Sequence, residues 1–268
     1  MSRGLTCFNL LGNFGRLGNM MFQVASTIGV SKTNGSVAAA NLSTVPLFKE
    51  IFQLNSIVDT IVQNLHQVYN EGTFSFNETA FKLEQGLNVD LRGYFQTEKY
   101  FKHCENTIRQ NFTFNENIRS LAANIIPSDV CVSVHVRRGD YVNISEYHHN
   151  QTPDYYFSAL ERFPHHRPVF FSDDIEWCKE TFKSLPNDPV FVENTDTLNL
   201  NPAVTSDMSA YIDMCAMSFC NDHIIANSSF SWWGAWLGNG NTIAPKTWFG
   251  PKGKQDWQDI YCDGWEVI

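Results

Sequence analysis

The sequence contains no Cys-x-x-Cys pair, no run of basic residues, and no apolar stretch of the roughly 18 residues needed to cross a bilayer. Its seven cysteines are scattered singly between Cys7 and Cys262, and an odd, unclustered set argues against a disulfide framework or a zinc ribbon. Charged residues make up 18% and the formal net charge is −9. An acidic chain without a basic tract is a poor partner for nucleic acid or an anionic membrane, so an anionic ligand must be held by a few local cations. The adjacent pairs His148/His149 and His165/His166 have no histidine one helical turn away, which gives no metal site. Neither a signal-like n-region and h-region nor an internal repeat is evident.

What is present is a chain of 268 residues with 43% hydrophobic content, enough for a sizeable core in one large or two small domains. Thr6 to Leu11 reads as a strand, Gly12 to Asn19 as a glycine-rich turn and Asn19 to Ser31 as a helix, a mononucleotide-type unit. The spacing G-x-x-G-x-x-G, with no following Lys-Ser/Thr, supports neither a dinucleotide fingerprint nor a Walker A loop. Strands are predicted at 36–40, 57–62 and 88–91, and helices at 45–54, 97–112 and 115–124, whereas 64–84 lacks periodicity and reads as irregular. The second half alternates clearly. Strands are predicted at 168–172, 190–192, 223–226 and 242–244, and helices from Thr152 to about Phe163, at 174–184, 206–219 and 229–238, with an Asn- and Thr-rich loop after Val192. Such alternation predicts parallel sheets covered on both faces.

One stretch organises the rest. In Val130 to Tyr141, VCVSVHVRRGDY, Val130, Val132, Val134 and Val136 share one face of a strand, and Cys131, Ser133 and His135 the other. The strand ends at Arg137 and Arg138, beside a backbone made permissive by Gly139. Ligands of open α/β sheets sit outside the carboxyl ends of strands, and a guanidinium can grip phosphate oxygens bidentately. The same arginines could equally be solvated charges or structural ion pairs. Asp173 and Ser229 also follow predicted strands, so three segments converge on one sheet edge. Ser229, Phe230 and Ser231 open a helix whose N–H groups suit a phosphate, though capping by Ser228 or Ser229 is the ordinary role. Asp173 and Asp174 read first as caps. Trp232, Trp233 and Trp236 read as core.

HVRRGDY resembles the first motif of the α-1,2-fucosyltransferases, relatives of the α-1,6- and protein O-fucosyltransferases. GRLGNMMFQ (Gly15 to Gln23), FFSDD (Phe170 to Asp174) and NSSFSWWGAWL (Asn227 to Leu237) match the same family in the same order, together spanning most of the chain. The resemblance implies an α/β fold of GT-B type: two Rossmann-like domains facing a cleft. The expected division is residues 1–127 on the acceptor side and 128–268 on the donor side, the latter including a closing segment with Trp248, Trp257 and Trp265.

The implied reaction moves L-fucose from GDP-β-L-fucose to the 2-hydroxyl of a galactose-terminated glycan, with inversion. Other linkages, or a glycan-binding protein retaining the fold, are the rival readings. By resemblance His135, Arg137, Asp173, Ser229, Phe230 and Ser231 hold the donor, Asp173 by accepting from the guanine ring. Arg16 and Asn19 line the fucose and acceptor side. Arg137 stabilises the departing diphosphate, and Asp140 or Glu146 is the candidate base; Asp140 could instead hold Arg138 in place. No Asp-x-Asp occurs, so arginine is expected to replace the metal that transferases of the other major fold place on the diphosphate, and no cofactor is expected. Animal members carry a membrane anchor and a stem. Without them, the expected form is a cytoplasmic protein of bacterial or viral type, or a trimmed piece of a Golgi-type enzyme.

Overall fold

The computed structural model describes residues 3–193 and 206–268; the Asn- and Thr-rich loop expected after Val192 falls almost wholly outside them. The backbone divides into two compact units, Met1–Asn115 with Asp256–Cys262, and Glu116–Gln255 with Asp263–Ile268. The division precedes the Pro127 expected from sequence, because helix α4 (Glu116–Ala123) packs on helix α7 (Ser206–Phe219) of the second unit. Arg119 of α4 lies over the Phe219 ring of α7 at 5.5 Å.

The first unit holds a five-stranded parallel sheet in the order β3-β2-β1-β5-β4, built from β1 (Leu5–Phe8), β2 (Val37–Ala40), β3 (Val58–Asp59), β4 (Gln67–Asn70) and β5 (Val89–Arg92). Helix α1 (Leu17–Asn34) is buried along most of its length, and Gly35 ends it in the left-handed conformation at φ 67°. Shorter helices α2 (Pro46–Ile51) and α3 (Glu105–Asn111) complete the unit.

Two expectations fail in this unit. The segment 64–84 contains the edge strand β4, whose polar residues Gln67 and Asn70 bury neither face and so left no apolar alternation to read. The helix expected at 97–112 is broken into 3-10 turns at Glu98–Tyr100 and Lys102–Cys104 before α3 begins. Consecutive Tyr100 and Phe101, at the end of the first turn and before the second, both bury completely. Thr97 caps the first of these turns, its hydroxyl accepting from Lys99 N at 3.3 Å.

The second unit holds a six-stranded parallel sheet in the order β11-β10-β9-β6-β7-β8. Its strands are β6 (Cys131–Val136), β7 (Arg167–Ser172), β8 (Val190–Phe191), β9 (Asp222–Ile224), β10 (Thr242–Ala244) and β11 (Glu266–Val267). Every residue of β6 is buried, while Val130 lies outside the strand and is exposed. Val132, Val134 and Val136 pack with Tyr156 and Phe163, which α5 (Pro153–Leu160) and its C-terminal turn supply, and with Cys178 and Phe182 of α6 (Ile175–Phe182). Residues of α8 (Ser229–Gly238) form an aromatic cluster in which Trp232 packs against Trp233 at 4.9 Å and Trp265 at 5.6 Å. Trp232, Trp233 and Trp236 are at most 5% exposed, so they are core, as expected. The C-terminal segment adds a strand, β11, beside β10.

Strand order decides where ligands can reach. From β6 the chain winds to β7 and β8 on one side, and later returns to place β9 on the other. β6 therefore stands at the topological switch point, where neighbouring loops part and leave a crevice at the carboxyl edge. β1, flanked by β2 and β5, holds the same position in the first unit.

Candidate active site

β6 and β7 pair in register to their last residues, Val136 opposite Ser172. Arg137 and Asp173 therefore emerge side by side, and the Arg137 guanidinium donates through one nitrogen to Asp173 and through the other to Asp140. Arg138 turns away. Its Nε donates to Asp174 at 3.0 Å, and its guanidinium lies 4.1 Å over the Trp177 ring. Asp140 holds Arg137, where the sequence also offered Arg138 as its partner, and the 3-10 turn Gly139–Ile144 curls the chain back over the end of β6.

Gly139 is required for closeness and not for an unusual φ: a Cβ there would collide with the Asp173 carboxylate. The second oxygen of Asp173 accepts from Arg138 N at 2.9 Å, so both of its oxygens have protein donors. Asp174 caps α6, accepting from Trp177 N at 3.3 Å.

A stack supports Arg137 from below. Its guanidinium lies 4.9 Å over the Tyr141 ring, Tyr141 stacks on His148 at 4.3 Å, and His148 contacts Phe249 at 5.7 Å. Cation–π contact and the two carboxylates together restrict the guanidinium to one orientation. Beneath the stack, buried Asn227 donates to His149 O at 2.8 Å and Trp248 O at 2.6 Å, while Gln151 donates to Asn227 Oδ1 at 3.2 Å. These bonds tie the loop after β6 to the segment before α8. Tyr141 and Asn227 lie within matched motifs, whereas His148 and Gln151 carried no sequence signal for this role; Gln151 pairs with Thr247, 96 positions away.

His135 is buried, its ring 5.3 Å from Phe230, and its Nδ1 has no hydrogen-bond partner among the described residues. Burial, then the neighbouring Arg137 charge, hold its pKa down at about 3, so the imidazole is neutral at physiological pH. Ser228 caps α8, which leaves Ser229 and Phe230, both half-buried, at its first turn. Ser231 faces inward and donates to Ala226 O and Ser228 O, both at 3.3 Å. Glu146 lies in an exposed ion pair with Lys252 at 2.8 Å. In the first unit, Arg16 precedes α1, and Asn19 accepts from Gln96 at 2.6 Å. Among the described residues no cluster of His, Cys, Asp or Glu could hold a metal ion, and no helix is long and apolar enough to cross a membrane.

Parallel α/β sheets carrying an arginine clamped between two carboxylates at a switch point define an α/β protein with a built strand-edge site. The chain belongs to glycosyl transferase family 11, whose model matches residues 4–268. It is 40% identical over 179 residues to an alpha-1,2-colitosyltransferase of Escherichia coli, covering 60% of this chain and 57% of that protein. It is 28% identical over 249 residues to galactoside 2-alpha-L-fucosyltransferase SEC1 of Bos taurus, covering 85% and 64%. The chain therefore spans well under two thirds of the first of these relatives and just under two thirds of the second. In fold it is similar to the crystal structure of fucosyltransferase NodZ from Bradyrhizobium, with TM-score 0.56, 11% identity and coverage of 87% and 93%. It is also similar to a mutant of Arabidopsis thaliana FUT1 in complex with GDP, with TM-score 0.55, 10% identity and coverage of 91% and 70%.

Proposed function

We propose that the protein is an inverting glycosyltransferase of GT-B organisation that moves L-fucose from GDP-β-L-fucose to the 2-hydroxyl of a terminal galactoside, giving an α-1,2 linkage. The observation that carries this reading is the Arg137 guanidinium, restricted by Asp173, Asp140 and Tyr141 at the switch point of the second unit. A cation held in place before reaction suits a diphosphate that gains charge as it leaves, because no reorganisation is needed at that moment. Relatives named as a galactoside 2-alpha-L-fucosyltransferase and an alpha-1,2-colitosyltransferase support the linkage.

Neutral His135, Phe230 and the α8 N-terminus at Ser229 form the nucleotide side of the site. Ser231 supports it through its backbone bonds. Arg16 and Asn19 of the first unit serve the sugar side. Asp140 is the base in this reading: it is half-exposed and its carboxylate adjoins Arg137, the charge on which the leaving group sits. Arginine replaces a divalent metal, and no cofactor is used.

The colitosyltransferase relative supports a second reading in which colitose, which lacks the 3-hydroxyl of fucose, is the transferred sugar. Incubation with each GDP-sugar and a β-galactoside, followed by NMR of the product, tests both. Fucose attached at O2 in α configuration is the expected result. Attachment at O3, O4 or O6, or transfer of colitose alone, would replace it.

A further inference from the structure

The switch point of the first unit carries a second built feature. Past the end of β5 the chain passes through Gly93, at φ 154°, and then Phe95, at φ 54°. A positive φ at a bulky residue is strained and persists only where the surroundings over-determine it. Here they do. Phe95 is fully buried and packs on Tyr100 at 5.2 Å and Phe8 at 6.4 Å. The Glu71 carboxylate accepts from Tyr94 N at 2.6 Å and from Phe95 N at 2.9 Å, and Gly93 is required because a Cβ there would strike Glu71. The kink drives Phe95 into the core and turns Tyr94 out, leaving it 39% exposed.

The exposed ring is not alone. Phe14, from the glycine turn after β1, meets Tyr94 edge to face at 6.4 Å and 73°. Both loops are pinned by one buried amide, Gln23, which donates to Phe14 O at 3.2 Å and Gly93 O at 3.3 Å. Polar groups flank the pair. Gln96 bonds Asn19 at 2.6 Å, and Arg92 is held through Nε by buried Asp90 at 3.1 Å. Strain, a carboxylate clamp and a second, buried clamp across two loops are more than the core needs to place one surface tyrosine.

We propose that Phe14 and Tyr94 form a platform for a pyranose ring of the acceptor glycan, a terminal β-galactoside. One face of a galactopyranose presents C–H groups made electropositive by their oxygens, and the face of an aromatic ring is electronegative. The sugar's hydroxyls then point outward, toward Arg92, Gln96 and Asn19, where a few polar groups fix orientation. The proposal rests on the transferase reading for the acceptor's identity, but the platform can be tested without turnover.

Lactose binding is measured by saturation-transfer NMR on the full chain, for the wild type and for Tyr94→Leu, Phe14→Leu and Tyr94→Phe. Melting temperature and protection by GDP serve as controls of folding. The expected result is about tenfold weaker lactose binding in each leucine variant, the scale of one lost aromatic contact. Near wild-type binding is expected in Tyr94→Phe, with GDP protection unchanged throughout. If wild type binds no lactose, or folded leucine variants bind it as wild type does, the platform is refuted even where GDP-fucose is turned over. If lactose binding depends on both rings but no GDP-sugar is taken, the platform stands and the transferase reading falls.

Discussion

Arg137 and Asp173 leave neighbouring parallel strands at paired positions, and their side chains are joined by a charge-assisted hydrogen bond. Neither residue is near the other in sequence. Their meeting follows from register alone: Val136 opposes Ser172, so the next residue of each strand emerges at the same point of the edge. Arg138, one position on, falls on the opposite side and is taken up by Asp174 and Trp177.

This division of labour predicts different effects on turnover. Arg137→Ala should lose about 10²–10³ in turnover, as for removal of one preorganised donor, and about 1–2 kcal/mol of stability, since it too gives up ion pairs and a ring contact. Arg137→Lys should recover only part, since it keeps the charge and loses the fork. Arg138→Ala should lower stability by about 1–2 kcal/mol through the lost ion pair and ring contact. Turnover and melting temperature of the three variants decide it; an active Arg137→Ala protein would remove the centre of the account.

Asp140 and Glu146 should also separate. Asp140→Asn should reduce turnover by about 10²–10⁴, the range for a lost general base. Glu146→Gln should change it by less than about fivefold, because an exposed pair with Lys252 contributes little. Single-turnover rates with saturating donor measure both, and the reverse ranking would move the base to Glu146.

The nucleotide should be recognisable by stability. GDP or GDP-fucose at about 100 times its Kd should stabilise the fold by ~2.7 kcal/mol, and UDP-galactose far less. A thermal-shift series in which UDP sugars match the GDP compounds would overturn the donor assignment.

Turnover should persist in EDTA, since the compensating positive charge proposed for the diphosphate is Arg137. Loss on chelation with recovery on adding Mn²⁺ or Mg²⁺ would show that a metal carries that charge instead.

Asp213, on α7, has an Oδ1 shielded from solvent and without a hydrogen-bond partner among the described residues. Burial pushes its carboxyl up from 3.8 to about 7. As pH rises through this window the unfolded chain releases the proton before the folded one, so the group's contribution to stability is full below 3.8 and is lost toward 7. Asp213→Asn should therefore raise the unfolding free energy at about pH 8, by an amount on the order of a few kcal/mol. That gain should vanish near pH 4. A gain independent of pH would mean that the carboxyl does not titrate in this range.

The sequence by itself determined the class of fold and where its chemistry could sit. The valine alternation of β6, the glycine turn before α1 and the strand-helix alternation of the second half are local patterns, and local periodicity survives in any context that buries one face. For the same reason the strand ends at Arg137, Asp173 and Ser229 could be read, and so could the tryptophans of α8 as core. Tertiary structure decided everything that depends on partners. β4 became a strand because β5 lay beside it, although its own residues carry no alternation. The helix expected from Thr97 is broken into 3-10 turns around the buried Tyr100 and Phe101, which no local periodicity announces. Asp140 reached Arg137 because the turn after β6 curls back. Phe95 entered a left-handed conformation through contacts with Glu71 and Phe8, residues far away in the chain. Register, turn direction and packing room are properties of pairs of elements, and no single stretch of sequence contains both members.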